Sequence, residues 1–463
     1  MKAVRLWCVK HAAGLERLYE AFALIAPLLK PLATFVGSAR AERALLPLER
    51  GAKQFLFDCQ MCGACVLRKT GMACPTNCGK QMRNGPCGGV RADGGCEIDP
   101  AMRCVWLDVR DGERRISSSD ARTPIGLQPI DFSRAGRSSW IKVIEGEQQS
   151  SSPSAPKPRD RSIHAFEAAC RSGRFVATVE IAPPDSADPS ALLARAGQFR
   201  GLVDAVNITD GAGGNCHMSS AAAAAILAAN GHTPVCQIAC RDRNRIAVQG
   251  DMLGAAALGV RNILCLTGDD VSQGDHPGAK PVFDLDAVNL LRIARDMRDR
   301  GEFASGRKLE VPPELFLGAT VNPFVPPHAD RIANLELKIE AGAQFIQTQF
   351  CFDLDLFLRF MDAARRRSLH ERAKIIVGVG TLSSVKALRW MSHNVPGVHI
   401  PESVLIRIAN AKDEKTEGLA VLVETIRSLR GIEGVAGVHL MGHRNEATLA
   451  EAIRQSDIGP RPS

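Results

Sequence analysis

Eight cysteines lie close together in the first quarter of the chain, at Cys59, Cys62, Cys65, Cys74, Cys78, Cys87, Cys96 and Cys104. Their number is enough for two sites of four thiolates each. The run C-x2-C-x2-C, with a later Cys74-Pro75, is typical of ferredoxin ligation, although the gap between Cys65 and Cys74 is longer than in that pattern. Zinc accepts the same thiolates at varied spacings. The pattern therefore predicts a metal site, and it leaves an iron–sulfur cluster (4Fe–4S) and zinc both open.

Three polar side chains interrupt apolar stretches much farther along the chain. Glu180 lies in "FVATVEIA", Asp269 follows "NILCLTG", and Gln349 lies in "FIQTQF". Removal of a carboxyl group from water favours its protonated form, which suits a general acid. Each residue alone also has a structural explanation, as a backbone-bonded Glu, a helix cap or a satisfied core amide. Their occurrence together favours a catalytic site.

The elements that would position these side chains are short, apolar and rich in β-forming residues. Eight such stretches alternate with amphipathic helical patterns, at 175–182, 203–210, 234–240, 262–269, 316–323, 345–352, 374–381 and 435–442. This alternation predicts a parallel sheet covered by helices, and eight strands are the number that closes a (β/α)8 TIM barrel. An open doubly wound sheet is the alternative, although no Gly-rich dinucleotide fingerprint follows the first strand. In a barrel, the three polar side chains would meet at the carboxyl ends of the strands.

The composition of the chain changes along its length and predicts four segments. Residues 1–54 read as helical, and 55–147 as a cysteine-rich, irregular metal-binding domain with an extended arm. Residues 148–162 are rich in Ser and Pro and predict a flexible linker. The barrel is expected over 163–463. The apolar stretch 18–37 is interrupted by prolines and a lysine, so it predicts a buried or partner-facing helical hairpin rather than a membrane span.

Composition also limits the function classes. The chain has 463 residues, of which 45% are hydrophobic and 23% charged, as in globular proteins. Its net charge of +8 is spread widely, which does not favour nucleic acid as a partner. No secretory signal is evident, so a cytoplasmic location with reduced thiols is expected. Five cysteines of the barrel region are expected to be small core or lining residues: Cys170, Cys216, Cys236, Cys265 and Cys351.

Several stretches between residues 165 and 460 resemble the barrel of methylenetetrahydrofolate reductases. They are "TVEIAPP", "NITDG", "LCLTGDD", "LELKIEAGAQFIQTQFCFD" and "HLMGHR", and they occur in the family's order. The pattern "CGACVL…TG…CP…NGPCGG…CE" resembles the cysteine-rich domain that is fused to, or partnered with, some bacterial members. The resemblance implies a flavin enzyme that reduces 5,10-methylenetetrahydrofolate to 5-methyltetrahydrofolate.

The resemblance also implies roles for individual residues. Glu180 matches the general acid that protonates a folate nitrogen, and Asp269 matches a carboxylate between flavin and pterin. Gln349 matches an amide that binds the pterin and the reducing nucleotide, and Arg444 a residue that pairs with the folate tail. The positions assigned to cofactor binding are Thr209, Gln237, Thr267, Gly268, Asp269, Asn322, His328, Asn334 and Lys338. The last three are expected to open the helix after the fifth strand, where a flavin phosphate would meet the helix N-terminus.

Four positions depart from the family's pattern. Asp210 replaces a Tyr, Gln237 a His, Thr267 an Arg and Leu337 another Arg. FAD and FMN therefore both remain open, as do NAD(P)H and ferredoxin as electron donors. An electron-transfer partner protein and a homo-oligomer also remain open. The alternative functions are a folate-binding methyl-transfer component that works with partner proteins, and a scaffold with a degenerate site.

Overall fold

The computed structural model describes residues 2–116, 126–146, 156, 159–395 and 397–459. The chain divides into two compact units. The N-terminal unit spans 1–87 and 94–154, and the barrel unit spans 88–93 and 155–463. Most of the predicted linker (148–162), and residues 122–125 of the predicted arm, lie outside the described residues.

The barrel unit contains eight parallel strands that form one closed sheet, in which each strand pairs with its neighbours in chain order and β8 pairs with β1. The strands are β1 (Val176–Ile181), β2 (Ala205–Ile208), β3 (Pro234–Ala239), β4 (Asn262–Leu266), β5 (Phe316–Val321), β6 (Phe345–Phe350), β7 (Lys374–Gly380) and β8 (Val435–Met441). Each lies within one of the predicted stretches. The prediction of a (β/α)8 barrel is confirmed, and the open doubly wound sheet is excluded.

Eighteen helices occur in the described part of the chain, six of them in the N-terminal unit. These six are α1 (Lys2–Lys10), α2 (Ala12–Ile25), α3 (Lys30–Val36), α4 (Ser38–Phe57), α5 (Val105–Ile116) and α6 (Ser139–Glu145). The barrel unit contains α7 (Ala165–Arg171), α8 (Ser190–Gly197), α9 (Ser220–Ala229), α10 (Arg245–Ala257), α11 (Ala287–Asp299), α12 (His328–Ala341), α13 (Leu354–Arg365), α14 (Leu369–Arg372), α15 (Val385–Asn394), α16 (Glu402–Ala409), α17 (Glu414–Arg430) and α18 (Glu446–Ser456).

Two apolar layers stabilise the barrel. The larger fills the space between the strands and the surrounding helices. The smaller fills the amino-terminal end of the lumen and includes Val176, Val235, Phe316 and Phe345. Phe166 of α7 packs its ring edge-on against Phe345, with ring centroids 5.4 Å apart. Helix α7 therefore closes the end of the barrel opposite to the carboxyl ends of the strands, and only the latter end is open to a ligand.

A buried ion pair fixes α7 in this position. Glu167 is fully buried, and its carboxylate accepts two hydrogen bonds from Arg161, each 2.7 Å long. Removal of one partner from a buried pair leaves the other charge uncompensated. Glu167→Ala is therefore expected to lower the free energy of unfolding by about 3 kcal/mol.

Thermal denaturation of the full chain tests this expectation. Exposed Glu310 provides the matched control, because Glu310→Ala is expected to change stability by less than about 0.5 kcal/mol. Equal melting temperatures for the two variants would show that the ion pair contributes nothing.

The N-terminal unit combines helices with an irregular segment. The prediction of an N-terminal helical segment is confirmed, since α1 to α4 follow one another as far as Phe57. From Cys59 to Cys104 the described chain forms turns, short 3-10 helices and one isolated antiparallel bridge between Gly95 and Arg103. Gly71 has a φ of +56°, and a Cβ there would lie 2.3 Å from the Glu113 backbone nitrogen. The glycines of this segment thus permit close approach of backbone to helix α5.

Candidate active site

The register of the sheet decides which polar side chains share the barrel lumen. Gln347 of β6 donates a 3.3 Å hydrogen bond to the Thr178 hydroxyl of β1. Both side chains therefore point into the lumen. Residues two apart on a regular strand share a face, so Glu180 also faces the lumen, one step closer to its open end. Gln349 lies at the same end of β6, after a shift in the β6–β7 register between Gln347 and Phe350.

Two side chains converge on one oxygen of Glu180. Gln237 Nε2 donates to Glu180 Oε2 at 3.1 Å, and His439 Nε2 lies 3.6 Å from the same oxygen. Oε1 has no partner among the described residues. The Glu180 side chain retains 28% exposure, so the chain alone removes it only partly from water. The carboxyl is thus oriented from one side and open to a ligand on the other.

His439 is a site residue that the sequence reasoning did not select. It is 2% exposed, and its Nδ1 lies 2.9 Å from the Thr178 hydroxyl. Thr178 connects to Gln347, which exchanges hydrogen bonds with Asn207 at 2.6 and 3.2 Å. A polar layer therefore crosses the lumen directly below Glu180. A histidine in the otherwise apolar strand "VAGVHLM" was the signal that could have identified it.

Gln349 is held by its own backbone. Its Oε1 accepts a 3.0 Å hydrogen bond from the Phe350 backbone nitrogen, which fixes the orientation of the amide. The Nε2 group has no partner among the described residues. The amide can therefore donate hydrogen bonds to a ligand.

Asp269 lies on the loop that follows β4, and it is exposed. Its Oδ2 accepts a 2.8 Å hydrogen bond from the Gly213 backbone nitrogen, in the loop that follows β2. This carboxylate therefore joins two loops at the mouth, and Oδ1 has no partner in the described part of the chain. Asp269 is at the rim, whereas Glu180 and Gln349 are on the walls.

Thr209 and Gly268 have features that fit a bound ligand. The Thr209 hydroxyl is buried and has no hydrogen-bond partner among the described residues. Buried polar groups in proteins are nearly always paired, so an orphaned hydroxyl at a site mouth is consistent with a ligand acceptor or donor. Gly268 has a φ of +101°, and a Cβ there would lie 2.8 Å from Arg241 Cβ. The backbone after β4 consequently requires glycine at this position.

Two other predicted cofactor residues are occupied by contacts within the chain. Asn322 Nδ2 donates to the carbonyls of Gly88 (3.0 Å) and Gly397 (2.8 Å), and its Oδ1 accepts from the Phe324 nitrogen. The Thr267 hydroxyl accepts a 3.3 Å hydrogen bond from the Ala287 nitrogen, at the start of α11. Both side chains fix loops at the mouth.

The expectation that three residues open helix α12 is wrong for two of them. His328 is the first residue of α12 and is exposed, but Asn334 lies mid-helix and Lys338 lies in the last turn. Lys338 Nζ instead donates a 2.6 Å hydrogen bond to the Thr320 carbonyl of β5. Helical spacing places Asn334 and Lys338 on one face, directed at the barrel. Only His328 can act with the helix N-terminus.

Arg444 follows β8 on the rim of the mouth. Its side chain is exposed, and its backbone has a φ of +53°, which is uncommon for a residue other than glycine. No described carboxylate pairs with it. A cation at this position is available to a negatively charged group of a ligand.

The departure at Asp210 has a structural consequence. Arg243 pairs with this buried carboxylate through Nη1 at 2.6 Å and Nη2 at 3.2 Å, and the Ala239 nitrogen donates to it at 2.8 Å. Asp210 therefore anchors the end of β3. It cannot present an aromatic ring to a flavin as a Tyr would.

In the N-terminal unit, four cysteines line one pocket with an empty volume of about 400 Å³, which includes open solvent: Cys59, Cys62, Cys65 and Cys74. Lys53, Arg83 and Arg137 line it as well. Their positive charges would stabilise thiolates at this pocket. We call these four cysteines quartet one.

The other four cysteines, quartet two, lie within electrostatic reach of one another. Burial, with smaller contributions from the nearby Cys104 and Cys96, raises the pKa of Cys78 to about 12. Burial also raises the pKa of Cys87, with contributions from Glu97, Cys78 and Cys104. Among the described residues, no three His, Cys, Asp or Glu side chains converge closely enough to share one metal ion. The cysteines of the described chain therefore do not form a preassembled site for a single metal ion.

Two family models match the chain. The one described as "Methylenetetrahydrofolate reductase" matches residues 165–457, and the one described as "Methylene-tetrahydrofolate reductase C terminal" matches residues 38–131. The first match covers the whole barrel. The second covers the eight clustered cysteines, although here that segment precedes the barrel.

Curated relatives match only part of the chain and at low sequence identity. Methylenetetrahydrofolate reductase 2 of Schizosaccharomyces pombe is 26% identical over 54% of this chain and 40% of its own length. The 5,10-methylenetetrahydrofolate reductase of Buchnera aphidicola is 32% identical over 31% of this chain and 42% of its own length. The matched regions thus span less than half of these relatives.

One solved structure is an uncharacterized Clostridium thermocellum protein described as binding two copies of 5-methyl-5,6,7,8-tetrahydrofolic acid. It is 14% identical with a TM-score of 0.43, over 63% of this chain and 98% of its own. This likeness is too weak to bear on ligands. The match over residues 165–457, which is more than half of the chain, shows that the chain belongs to the methylenetetrahydrofolate reductase family.

Proposed function

We propose that the chain reduces 5,10-methylenetetrahydrofolate to 5-methyltetrahydrofolate in the cytoplasm, with a flavin bound at the mouth of the barrel. The observation that carries the proposal is the arrangement around Glu180, whose Oε2 is held by Gln237 while Oε1 is open to the lumen. A carboxyl that is fixed from one side and accessible from the other suits proton transfer to a bound substrate.

The residues at the mouth are compatible with a flavin, either FAD or FMN. The Thr209 hydroxyl and the Gln349 Nε2 group have no hydrogen-bond partner among the described residues, and Gly268 permits the turn that follows β4. His328 at the start of α12 would meet a phosphate, because helix N-termini bind anions. Asn334 and Lys338, on the face of α12 that is directed at the barrel, would support the β5 side of the mouth. Asn322 and Thr267 would hold the loops that follow β5 and β4. When bound, the flavin supplies the hydride.

The protein residues would act in a defined order. Gln349 and Asp269 would orient the pterin, and Arg444 would pair with the negatively charged tail of the folate. Glu180, protonated at Oε1, would donate its proton to the folate nitrogen that leaves the bridging carbon. That donation opens the five-membered ring and leaves an electrophilic carbon to accept hydride. Glu180 would then be ionised, and Gln237 would stabilise its negative charge by donating to Oε2.

His439 is expected to position Glu180 rather than to touch the substrate. His439→Asn should lower kcat by about tenfold to hundredfold, because Glu180 loses the imidazole that lies 3.6 Å from its Oε2. KM for the folate should stay unchanged, since the substrate does not contact this side chain. Steady-state kinetics on variants with equal flavin content test whether kcat falls while KM stays the same.

The matched control for His439 is His232→Gln, at the amino-terminal end of β3, which should leave both constants unchanged. An increase in KM with unchanged kcat would assign His439 to substrate binding, and parallel loss of flavin would assign it to folding.

We also propose that 55–147 forms a metal-binding domain, after a helical segment (1–54) and before a linker (148–162). A single tetrahedral zinc would draw four thiolate sulfurs to within ~3.8 Å of one another, from Zn–S bonds of ~2.3 Å. Quartet one surrounds a pocket and does not converge on one point. Four thiolates around a wider space fit an iron–sulfur cluster better than a single zinc ion.

The electron donor distinguishes the possible roles of this domain. NADH, NADPH and reduced ferredoxin should each be tested with methylenetetrahydrofolate under anaerobic conditions. Turnover with ferredoxin alone would support electron entry through the cysteine-rich domain. Absence of 5-methyltetrahydrofolate with all three donors, from protein that retains flavin, would contradict reductase activity. It would favour the folate-binding methyl-transfer alternative.

A further inference from the structure

Large apolar side chains cover the outside of the helices near the N-terminus. Between residues 18 and 36, eight of them are exposed: Leu18, Leu24, Ile25, Leu28, Leu29, Leu32, Phe35 and Val36. The exposed fractions reach 79% for Leu24, 76% for Leu28 and 90% for Phe35. A soluble helix normally turns such residues inward, so this surface is built to contact something else. We call residues 21–36 the apolar tip.

The residues that face inward at the tip are small. Ala26 and Ala33 are buried against Ile141 and Ile144 of α6, with partly buried Phe22 at the edge of this contact. The alanines let the tip lie close to α6, whereas the leucines and Phe35 point away from it. The tip is thus fixed to its own unit by a narrow face, and its larger apolar face is left outside.

The tip is not one straight helix, although Ala12–Val36 as a whole is long and apolar enough to cross a membrane. Helix α2 ends at Ile25, a 3-10 turn covers Ala26–Leu29, and α3 starts at Lys30. Pro27 and Pro31 account for this break. The buried contact of Ala26 and Ala33 with α6 holds this segment against its own unit, which opposes insertion across a bilayer.

The charges next to the tip are positive. Arg17, Lys30 and Arg40 are exposed and pair with no carboxylate of the described residues. The nearby acids Glu20 and Glu42 already have cationic partners, Arg68 at 2.8 Å and Arg137 at 3.1 Å, and Arg68 also lies 3.9 Å from Glu16. An apolar face flanked by unpaired cations matches the surface of an anionic lipid membrane, in which apolar side chains enter the acyl boundary and cations meet the head groups.

We propose that the apolar tip is a peripheral membrane anchor that lies in the surface of an anionic bilayer. The tip enters the boundary between head groups and acyl chains without crossing it. Lys30, at the tip, and Arg17 and Arg40, beside it, contact the lipid phosphates. This proposal is independent of the reaction proposed for the barrel, and its test needs no turnover.

Vesicle sedimentation with the full-length protein tests the anchor. The protein should bind vesicles of phosphatidylcholine with phosphatidylglycerol, bind phosphatidylcholine alone more weakly, and lose affinity as salt increases. The double variant Leu32→Ser/Phe35→Ser should weaken binding by about tenfold or more, because two exposed anchors are lost. Both positions are exposed, so folding should be unaffected, which circular dichroism and flavin content check.

The control variant Ile246→Ser removes an equally exposed apolar side chain from the barrel unit and should bind vesicles as the parent does. Absence of vesicle binding at low salt would overturn the proposal. So would sedimentation velocity showing a dimer that the double serine variant converts to a monomer, since the apolar face would then be an interface between copies. Equal binding to neutral and anionic vesicles would overturn the role of the cations.

Discussion

Glu180→Gln is expected to abolish most folate reduction while flavin binding persists. The amide keeps the shape of the side chain but cannot donate the proton that opens the folate ring. Loss of a general acid typically lowers a rate by about 10²–10⁴-fold. Because the Gln side chain has the same size and its amide oxygen can still accept the hydrogen bond from Gln237, the cofactor content should stay the same.

The measurement for Glu180 is 5-methyltetrahydrofolate formation, normalised to protein-bound flavin. Glu310→Gln changes an exposed carboxyl outside the site and should retain full activity. Electron transfer from the donor to the flavin should also persist in Glu180→Gln, because that half-reaction does not involve the folate nitrogen. Normal folate turnover in this variant would remove Glu180 from the mechanism.

Cys74→Ser is expected to release the metal of quartet one and to destabilise the N-terminal unit. This unit has an irregular segment with few regular elements between α4 and α5, so ligation would contribute directly to its folding. The variant should lose about half of the bound iron and sulfide, since quartet two keeps its own ligands. Visible absorption from the cluster should fall in proportion.

Metal analysis of anaerobically purified protein checks this expectation. Cys216→Ser is the matched control, because Cys216 is exposed, belongs to the barrel unit and should not affect the metal content. Stoichiometric zinc without iron would replace the cluster by a structural zinc site. Protein with neither metal would contradict ligation by either quartet.

The fold could be predicted because its signal is local. Each strand of the barrel is a short, nearly continuous apolar run, since strands of a helix-covered parallel sheet are buried on both sides. Every predicted stretch contains the observed strand, and the structure trims only its ends, as at 203–210, where β2 is Ala205–Ile208. Positions within helices were harder to predict from the sequence. Lys338 was placed at the start of α12 although it lies in its last turn.

The polar layer within the lumen could not be predicted, because it depends on the register between distant strands. His439 meets Thr178 across 261 positions of sequence, and Gln347 meets Asn207 across 140. The residues around His439 in "VAGVHLM" do not indicate which strand its side chain contacts in the folded barrel. The division of the eight cysteines into two quartets has the same origin, since the folded loops bring Cys78 and Cys104 together.

The sequence also does not show whether a polar side chain is free to bind a ligand. Asn322 looks like a ligand-binding residue at a strand end, but its amide is fully used by Gly88, Gly397 and Phe324. Thr209 looks similar, and its hydroxyl has no partner among the described residues. Only the three-dimensional hydrogen-bond pattern separates a residue that supports the mouth from one that can meet a ligand.

The most direct test of the proposed reaction is a single-turnover experiment, whose result does not depend on the identity of the electron donor. Protein whose bound flavin has been reduced is mixed anaerobically with methylenetetrahydrofolate, and flavin reoxidation is followed together with the folate product. The account predicts reoxidation with one 5-methyltetrahydrofolate formed for each flavin. Flavin that stays reduced in the presence of saturating folate would contradict it.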